Sequence, residues 1–299
     1  MTKESFIRYQ SLHNRFILFD WRQKSNIFIE KILSDKNWPV TVRNLCAMNG
    51  NLDGVLVLTN YNGQFHVKVF NSNGSDGQVC LNGARCVAHY LYNEGHEGKL
   101  ALFMGGMVVE SKLSPSPAGR PFETISLRRR QGYGAQARSL RASGLNLKPK
   151  LNEIIQYINL GRCEGKQTID TPAGTFAGHV VDVGNPHFIV FEKQTREWLE
   201  KNGKYLSKHQ NFPDQINIEF VWPDKLEKNK YNVLVYERGC GVTQACSSGA
   251  AAITNILFKQ NKIKIDKKII LQMMGGSLQT WVTKEKKIAL RADKPPAVL

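Results

Sequence analysis

The apolar positions of the chain alternate between two periods. In NIFIEKIL (26–33), Phe28, Ile29, Ile32 and Leu33 fall on one helical face, with Ser25 or Asn26 placed to cap the start. GVLVLTN (54–60) and QFHVKVFN (64–71) read as two strands, and in the second Phe65, Val67 and Val69 alternate with His66 and Lys68. ARCVAHYLYNEG (84–95) returns to a helical pattern and stops at Gly95. The second half runs through a similar series. GHVVDVGNPHFIVF (178–191) reads as strand, Gly-Asn-Pro turn and strand, NIEFVW (217–222) and YNVLVYERG (231–239) as strands, and GAAAITNILFKQ (249–260) as a helix. Both halves thus contain a strand, a glycine-rich turn and a helix in that order. The expected fold class is α/β of the α+β type, in two similar lobes. The short spacing between strands favours mixed or antiparallel sheets over a doubly wound one.

One short pattern marks the same point in each half. QVCLNGARC (78–86) and QACSSGAAA (244–252) each carry cysteine third and glycine sixth. An offset of 166 residues joins Gln78 to Gln244, Cys80 to Cys246, Gly83 to Gly249, Ala84 to Ala250 and Leu91 to Leu257. Each cysteine precedes a predicted helix. A helix N-terminus presents unpaired N–H groups and a partial positive charge, so it attracts anions and lowers the pKa of a nearby thiol. Small residues around the turns let backbone amides approach a ligand. Two such helix starts facing one cleft would hold a carboxylate and place a sulfur on either side of an α-carbon. One thiolate could remove the α-proton while the opposite thiol returns one to the other face. Two other readings exist. Each cysteine could be a buried small hydrophobe, the usual state of a free thiol, or the two could form a disulfide. The matched context favours the acid–base pair.

Composition narrows the classes. The 299 residues are 41% hydrophobic, enough for a packed core, and no run approaches the length of a membrane span. The start, MTKESFIRYQ, lacks the apolar core of a signal peptide, so a cytoplasmic location is expected. Six cysteines without a secretion signal read as free thiols, and the six-residue spacing of Cys80/Cys86 and Cys240/Cys246 fits no common zinc module, so no metal is expected. Cys46, Cys86, Cys163 and Cys240 read as packing residues. The net charge is +16, of which residues 112–150 supply +8 through nine Lys/Arg and one acid. That segment is rich in Pro, Gly, Ser and Arg and reads as a basic insertion of disorder-like composition.

The longer motifs resemble the diaminopimelate epimerase family. NSNGSDGQVCLNGARC (71–86) is similar to the family's N-x-D-G-S-x-x-x-x-C-G-N-G-x-R-C, and ERGCGVTQACSSG (237–249) to E-R-G-x-G-x-T-x-A-C-G-[ST]-G. A G-N-P-H turn matches at Gly184–His187. The resemblance implies two pseudo-symmetric lobes, each a mixed sheet around a central helix, with the active site in the cleft between them. It implies a cofactor-independent epimerisation of L,L-diaminopimelate to meso-diaminopimelate, for lysine and peptidoglycan precursor synthesis, with Cys80 and Cys246 as the acid–base pair. His187 and Glu237 would tune the thiols. Asn14, Gly54, Asn71, Asn82, Asn185, Asn217, Glu237 and Arg238 would bind substrate, and the amides around Leu81–Asn82 and Ser247–Ser248 would hold its carboxylate. Asn185 could instead serve only its turn, and Arg238 could form only a surface pair with Glu237. The expected lobes are residues 1–125, with the tail of about 285–299 packing on them, and 126–284. The expected partners are a small amino-acid substrate and a second copy in a homodimer, with neither membrane nor nucleic acid.

The chain also departs from the family pattern. Asn73 stands for the family's aspartate, Leu81 and Ser247 for the glycines after the cysteines, and SLHNRF (11–16) for G-x-G-N-D-F. These departures bear on substrate. They leave a racemase of another amino acid, such as histidine, as the alternative within the class. A basic nucleic-acid-binding protein on a degenerate epimerase scaffold is the alternative outside it.

Overall fold

A computed structural model describes residues 5–115 and 151–299. The expected lobe boundary at 125/126 and all of the basic segment beyond residue 115 lie outside the described residues. The first lobe runs β1 (Ile7–Ser11), β2 (Asn14–Asp20), α1 (Asn26–Leu33), α2 (Trp38–Met48), β3 (Gly54–Tyr61), β4 (Gln64–Asn71), α3 (Leu81–Asn93), β5 (Gly98–Met104), β6 (Met107–Pro115) and β7 (Leu151–Asn159). There follow β8 (Arg162–Thr171), β9 (Gly174–Asp182), β10 (Pro186–Val190), α4 (Arg196–Ser207), β11 (Asn217–Pro223), β12 (Lys230–Glu237), β13 (Gly241–Val242), α5 (Ser247–Lys259), β14 (Ile269–Met273), β15 (Gly276–Val282), β16 (Lys287–Ala292) and β17 (Ala297–Val298).

Strand pairing makes the internal symmetry concrete. From β1 the ladder reads antiparallel to β2, parallel to β3, antiparallel to β4, parallel to β5, then antiparallel to β6 and β7. From β9 it reads antiparallel to β10, parallel to β11, antiparallel to β12, parallel to β14, then antiparallel to β15 and β16. The two series end on each other, β7 against β16. Each also carries one outer strand, β17 on β1 and β8 on β9. The fold is therefore two pseudo-symmetric lobes of mixed sheet.

Each sheet curls round one helix. Helix α3 touches β1 and β2 at one end of its ladder and β6 and β7 at the other. Helix α5 likewise touches β9 and β10 as well as β15 and β16. A helix enclosed in this way must be apolar or small on every face, or pair its polar groups internally. Residues 247–257 of α5 are all buried, as are 81–88, Leu91 and Tyr92 of α3. On the outer faces, α1 and α2 cover a cluster of Trp21, Trp38, Val55 and Phe70, and α4 covers Phe176, Phe188 and Phe220. The Phe28, Ile29, Ile32 and Leu33 stripe of α1 packs on the first of these, half-buried.

The two central helices begin earlier than their apolar patterns suggest, at Leu81 rather than Ala84 and at Ser247 rather than Gly249. The reason is the cap. Cys80 (φ −132°, ψ 99°) and Cys246 (φ −121°, ψ 106°) are themselves the N-cap residues, with extended backbone and a sulfur accepting from the third helical N–H. Cysteine is not among the common capping residues, so the pattern of apolar positions alone misses the first turn.

Candidate active site

Both cysteines line one cleft between the lobes, at the facing starts of α3 and α5. Their backbone surroundings match, and Cys246 Sγ has in addition Ser248 Oγ at 3.3 Å. Cys80 Sγ accepts from Gly83 N at 3.3 Å, and Cys246 Sγ accepts from Gly249 N at 3.3 Å. The Cys80 N–H donates to the thioether of Met104 (3.1 Å) and the Cys246 N–H to that of Met273 (3.3 Å). The glycine of each motif is required by close approach. A Cβ at Gly83 would lie 2.7 Å from Leu56 Cδ2, and one at Gly249 would lie 2.4 Å from Glu219 Oε1. All six cysteines are free thiols.

The walls of the cleft are polar. Asn14, Asn71 and Asn82 come from the first lobe, and Asn185, Asn217, Glu237 and Arg238 from the second. Asn14 and Asn185 occupy equivalent places at the starts of β2 and β10, and Gly54 and Asn217 the equivalent first positions of β3 and β11. Gly54 itself does not line the cleft; its neighbour Asp53 does, and Gly54 packs against the Phe70 carbonyl. Asn82 Nδ2 donates to Asn14 Oδ1 (2.6 Å) and to the Ala245 carbonyl (2.9 Å), which joins the lobes behind the thiols. Asn185 Nδ2 donates to Ser248 Oγ (3.3 Å). Asn217 accepts from the Arg238 N–H (3.0 Å). The Leu81 side chain turns into the core, 1% exposed, so it leaves the helix start free of bulk. Ser247 and Ser248 hold the equivalent first two positions of α5 and are buried.

Arg238 and Glu237 do not pair. Glu237 accepts from Thr243 Oγ1 (2.5 Å) at the cleft wall, while the Arg238 guanidinium donates across the cleft mouth to Gln78 Oε1 (2.5 Å) and to the Asp214 carbonyl (3.0 Å). Gln78 takes a left-handed backbone (φ 53°), uncommon for a residue with a side chain. His187 is fully buried behind Asn185, its Nδ1 2.7 Å from Glu219 Oε1 and its Nε2 3.1 Å from Asn185 Oδ1.

Burial outweighs the helix starts in setting the thiol acidity, contrary to the lowering expected from the N-termini alone. Desolvation pushes Cys80 up to about 12, against the amides of Gly83 and Asn82, which favour the thiolate; Glu237 adds to the rise. Cys246 is raised well above its ordinary value, by burial first and then by Glu237 and Glu219. Burial also lifts Glu237 to about 7, partly opposed by its bond from Thr243. Burial thus holds both sulfurs towards the thiol form, beside a carboxyl group that it also raises.

Several residues of the site escape sequence reasoning. Cys240, read as a packing residue, lines the cleft. Glu219 is a fully buried carboxylate bonded to His187, with its second oxygen unpaired. The Glu in NIEFVW sits between Ile218 and Phe220 in a strand whose first five residues are all buried, and an acid at such a position is the signal that was available. His187, Glu219 and Cys246 bring ligand-type atoms within 4.8 Å of one another. Both nitrogens of His187 are already engaged, so a metal there would have to break these bonds.

Comparison with known proteins agrees with this geometry. Residues 179–298 match the family model for diaminopimelate epimerase. A diaminopimelate epimerase of Prochlorococcus marinus (strain NATL1A) is 29% identical over 294 residues, covering 93% of this chain and 90% of its own. One from Bacillus cereus is 26% identical over 297 residues, covering 97% of this chain and 94% of its own. Among solved structures, a probable proline racemase from Agrobacterium radiobacter K84 superposes with a TM-score of 0.69 at 10% identity, covering 98% of this chain and 90% of that one. A hydroxyproline epimerase from Agrobacterium vitis does so at 0.68 with the same identity and coverage. Fold and relatives point to one class, the amino-acid epimerases and racemases. Within that class the chain is a relative of the diaminopimelate epimerases, similar to them over nearly its whole length.

Proposed function

We propose that this chain epimerises L,L-diaminopimelate to the meso form by a two-thiol acid–base mechanism, the step that would serve lysine and peptidoglycan precursor synthesis. The observation that carries the reading is the pair of N-cap cysteines facing one cleft with matched hydrogen bonds. The reacting carboxylate lies between the first turns of α3 and α5, where the amides of Leu81, Asn82, Ser247 and Ser248 and two positive helix ends favour it. A thiolate on one side takes the α-proton. The electron pair of the C–H bond moves onto the carboxylate, where preorganised amides stabilise the developing charge. The opposite thiol donates its proton to the other face of the α-carbon and is left as a thiolate. The enzyme then holds its proton on the other sulfur, ready for the reverse direction.

Glu237 supplies a route to the first thiolate. As a carboxylate it raises the pKa of both thiols. Moving a proton from a thiol to Glu237 leaves the net charge of the cleft unchanged and removes that repulsion. His187, held by Glu219, keeps Asn185 and the Cys246 side of the cleft in place. The rest of the cleft wall supports the choice of substrate. Asn71, Asn217 and Arg238 add donors and acceptors to the lining, suited to a second amino-acid head group. For such a substrate the Arg238 guanidinium exchanges Gln78 for a distal carboxylate, which it can bind in bidentate fashion.

Incubation with L,L-diaminopimelate and a panel of amino acids in deuterated water tests this, with α-deuterium read by mass spectrometry. Exchange and inversion of diaminopimelate are expected. Exchange of histidine or another amino acid with none of diaminopimelate would overturn the substrate.

A further inference from the structure

Behind the two helix starts lies a charge that the mechanism above does not use. Arg85 is 1% exposed, among the largest fully buried side chains. Its guanidinium donates to four neutral oxygens: NH1 to Ser11 Oγ (3.0 Å) and Asn82 Oδ1 (3.1 Å), NH2 to Gln156 Oε1 (2.8 Å) and Ser247 Oγ (3.3 Å). Its Nε has no partner. Among the described residues no carboxylate lies within ion-pair distance of it. Burial pulls the group down to about 10, which still leaves it charged at neutral pH, and the ionisable neighbours that favour its charge are Cys86, Cys80 and Asp293. The two thiols are held protonated by burial. A buried cation normally sits against an anion. Here, among the described residues, no anion touches the guanidinium, and Asp293 acts on it only from beyond ion-pair distance.

The partners of Arg85 say where the anion belongs. Asn82 is the second residue of α3 and Ser247 the first of α5, so the guanidinium grips both helix starts at once, one from each lobe. Ser247 Oγ also donates to Asn82 Oδ1 (2.5 Å), closing a triangle directly behind the backbone amides that face the cleft. Gln156 completes the frame by donating to the Leu81 carbonyl (2.9 Å). We propose that Arg85 is a positioning residue that locks the two helix starts together and supplies the buried positive charge whose counter-ion is the substrate's reacting carboxylate. It acts through Asn82 and Ser247 and touches no substrate atom. The proposal rests on the reading that a carboxylate sits between the helix starts, whatever amino acid carries it. Arginine is needed because its planar fork reaches oxygens of four elements at once, which a lysine ammonium cannot do.

Two small alkylating agents test this without turnover. Iodoacetate carries a carboxylate and iodoacetamide does not, and otherwise they react alike with a thiolate. The rate ratio of iodoacetate to iodoacetamide at Cys80, read by peptide mass spectrometry, reports the pull of the cradle on an anion. In the unsubstituted protein the ratio should exceed that of free cysteine about tenfold or more. Arg85→Gln should lower it about tenfold, and Arg85→Lys should keep most of the preference while losing turnover through misplacement. A folded Arg85→Gln protein with an unchanged ratio would overturn the proposal and leave Arg85 a purely structural tie. If Arg85→Gln does not fold, the unsubstituted protein decides: no preference for iodoacetate over free cysteine refutes the proposal, and a tenfold preference that Ser247→Ala weakens supports it. Failure to epimerise diaminopimelate leaves these ratios unaffected, so the two readings fail separately.

Discussion

The matched glycines of the two motifs should tolerate alanine very differently. At Gly249 the added methyl would lie 2.4 Å from Glu219 Oε1, 3.0 Å from its Cδ and 3.1 Å from its Cγ. That is about 1 Å short of van der Waals contact. Glu219 is fully buried and tied to His187 at 2.7 Å, so the carboxylate cannot swing away without straining that bond. Overpacking costs about 1–3 kcal/mol, and loosening a hydrogen bond to a charged group about 1.5–3 kcal/mol. The helix propensity gained from Gly to Ala returns about 1 kcal/mol. The net loss for Gly249→Ala is therefore about 3 kcal/mol, a Tm drop of roughly 5 °C in a chain of this size. At Gly83 the nearest atom is Leu56 Cδ2, the end of an aliphatic side chain, at 2.7 Å. It can yield by a small rotation, so Gly83→Ala should lose about 1 kcal/mol or less. Because the methyl at 249 pushes the start of α5 from its place, kcat/KM should also fall about 100-fold there. Thermal unfolding and initial rates of both variants check this. A Gly83→Ala protein as damaged as Gly249→Ala, in Tm and in rate, would refute the reasoning.

Two other outcomes follow from the same structure. Glu237 is raised from 4.5 to about 7 in the fold, so the folded state binds its proton more tightly than the unfolded chain; its contribution is full below pH 4.5 and is lost as pH rises through 7. Stability should decline across that window, and Glu237→Gln should flatten the decline in Tm measured against pH; an unchanged slope would contradict the assignment. Separately, β6 and β7 still pair at Pro115↔Leu151, so replacing residues 116–150 by a short Asn-Gly turn should leave a folded protein with near-normal turnover. A soluble, folded variant without activity would show that the replaced residues serve the site.

Much of this site can be read from the amino-acid order because its chemistry is written in repeated local motifs. The strand at 64–71 and the helix at 26–33 emerge from simple periodicity, since each packs one apolar face, and the strand at 54–60 from a continuous apolar run buried on both faces. The two thiols, the asparagines and Glu237 come from motif positions, and the cleft brings them together. What stays hidden depends on the opposite lobe. Nothing local marks Gln156 as the partner of Arg85, 71 residues away, or Ser247 as another, 162 away. The acidity of the thiols is likewise invisible, because the helix start favours the thiolate while burial, known only from the fold, opposes it and wins. Helix α2 is hard to read from its sequence, since Val40, Thr41 and Val42 are β-branched and Pro39 precedes them, yet proline is at home in a first helical turn and Trp38, Val42 and Cys46 bury together.

The most direct test of the central claim is α-proton exchange by Cys80→Ser and Cys246→Ser, each assayed from both stereoisomers in deuterated water. Serine is too weak a base to replace the thiolate. Each variant should lose inversion by about two to four decades, a general acid–base magnitude. Each should retain exchange from one stereoisomer only, through the surviving thiol, and the two variants should favour opposite stereoisomers. Near-full inversion by both single variants would contradict the account and leave the matched cysteines as helix caps alone.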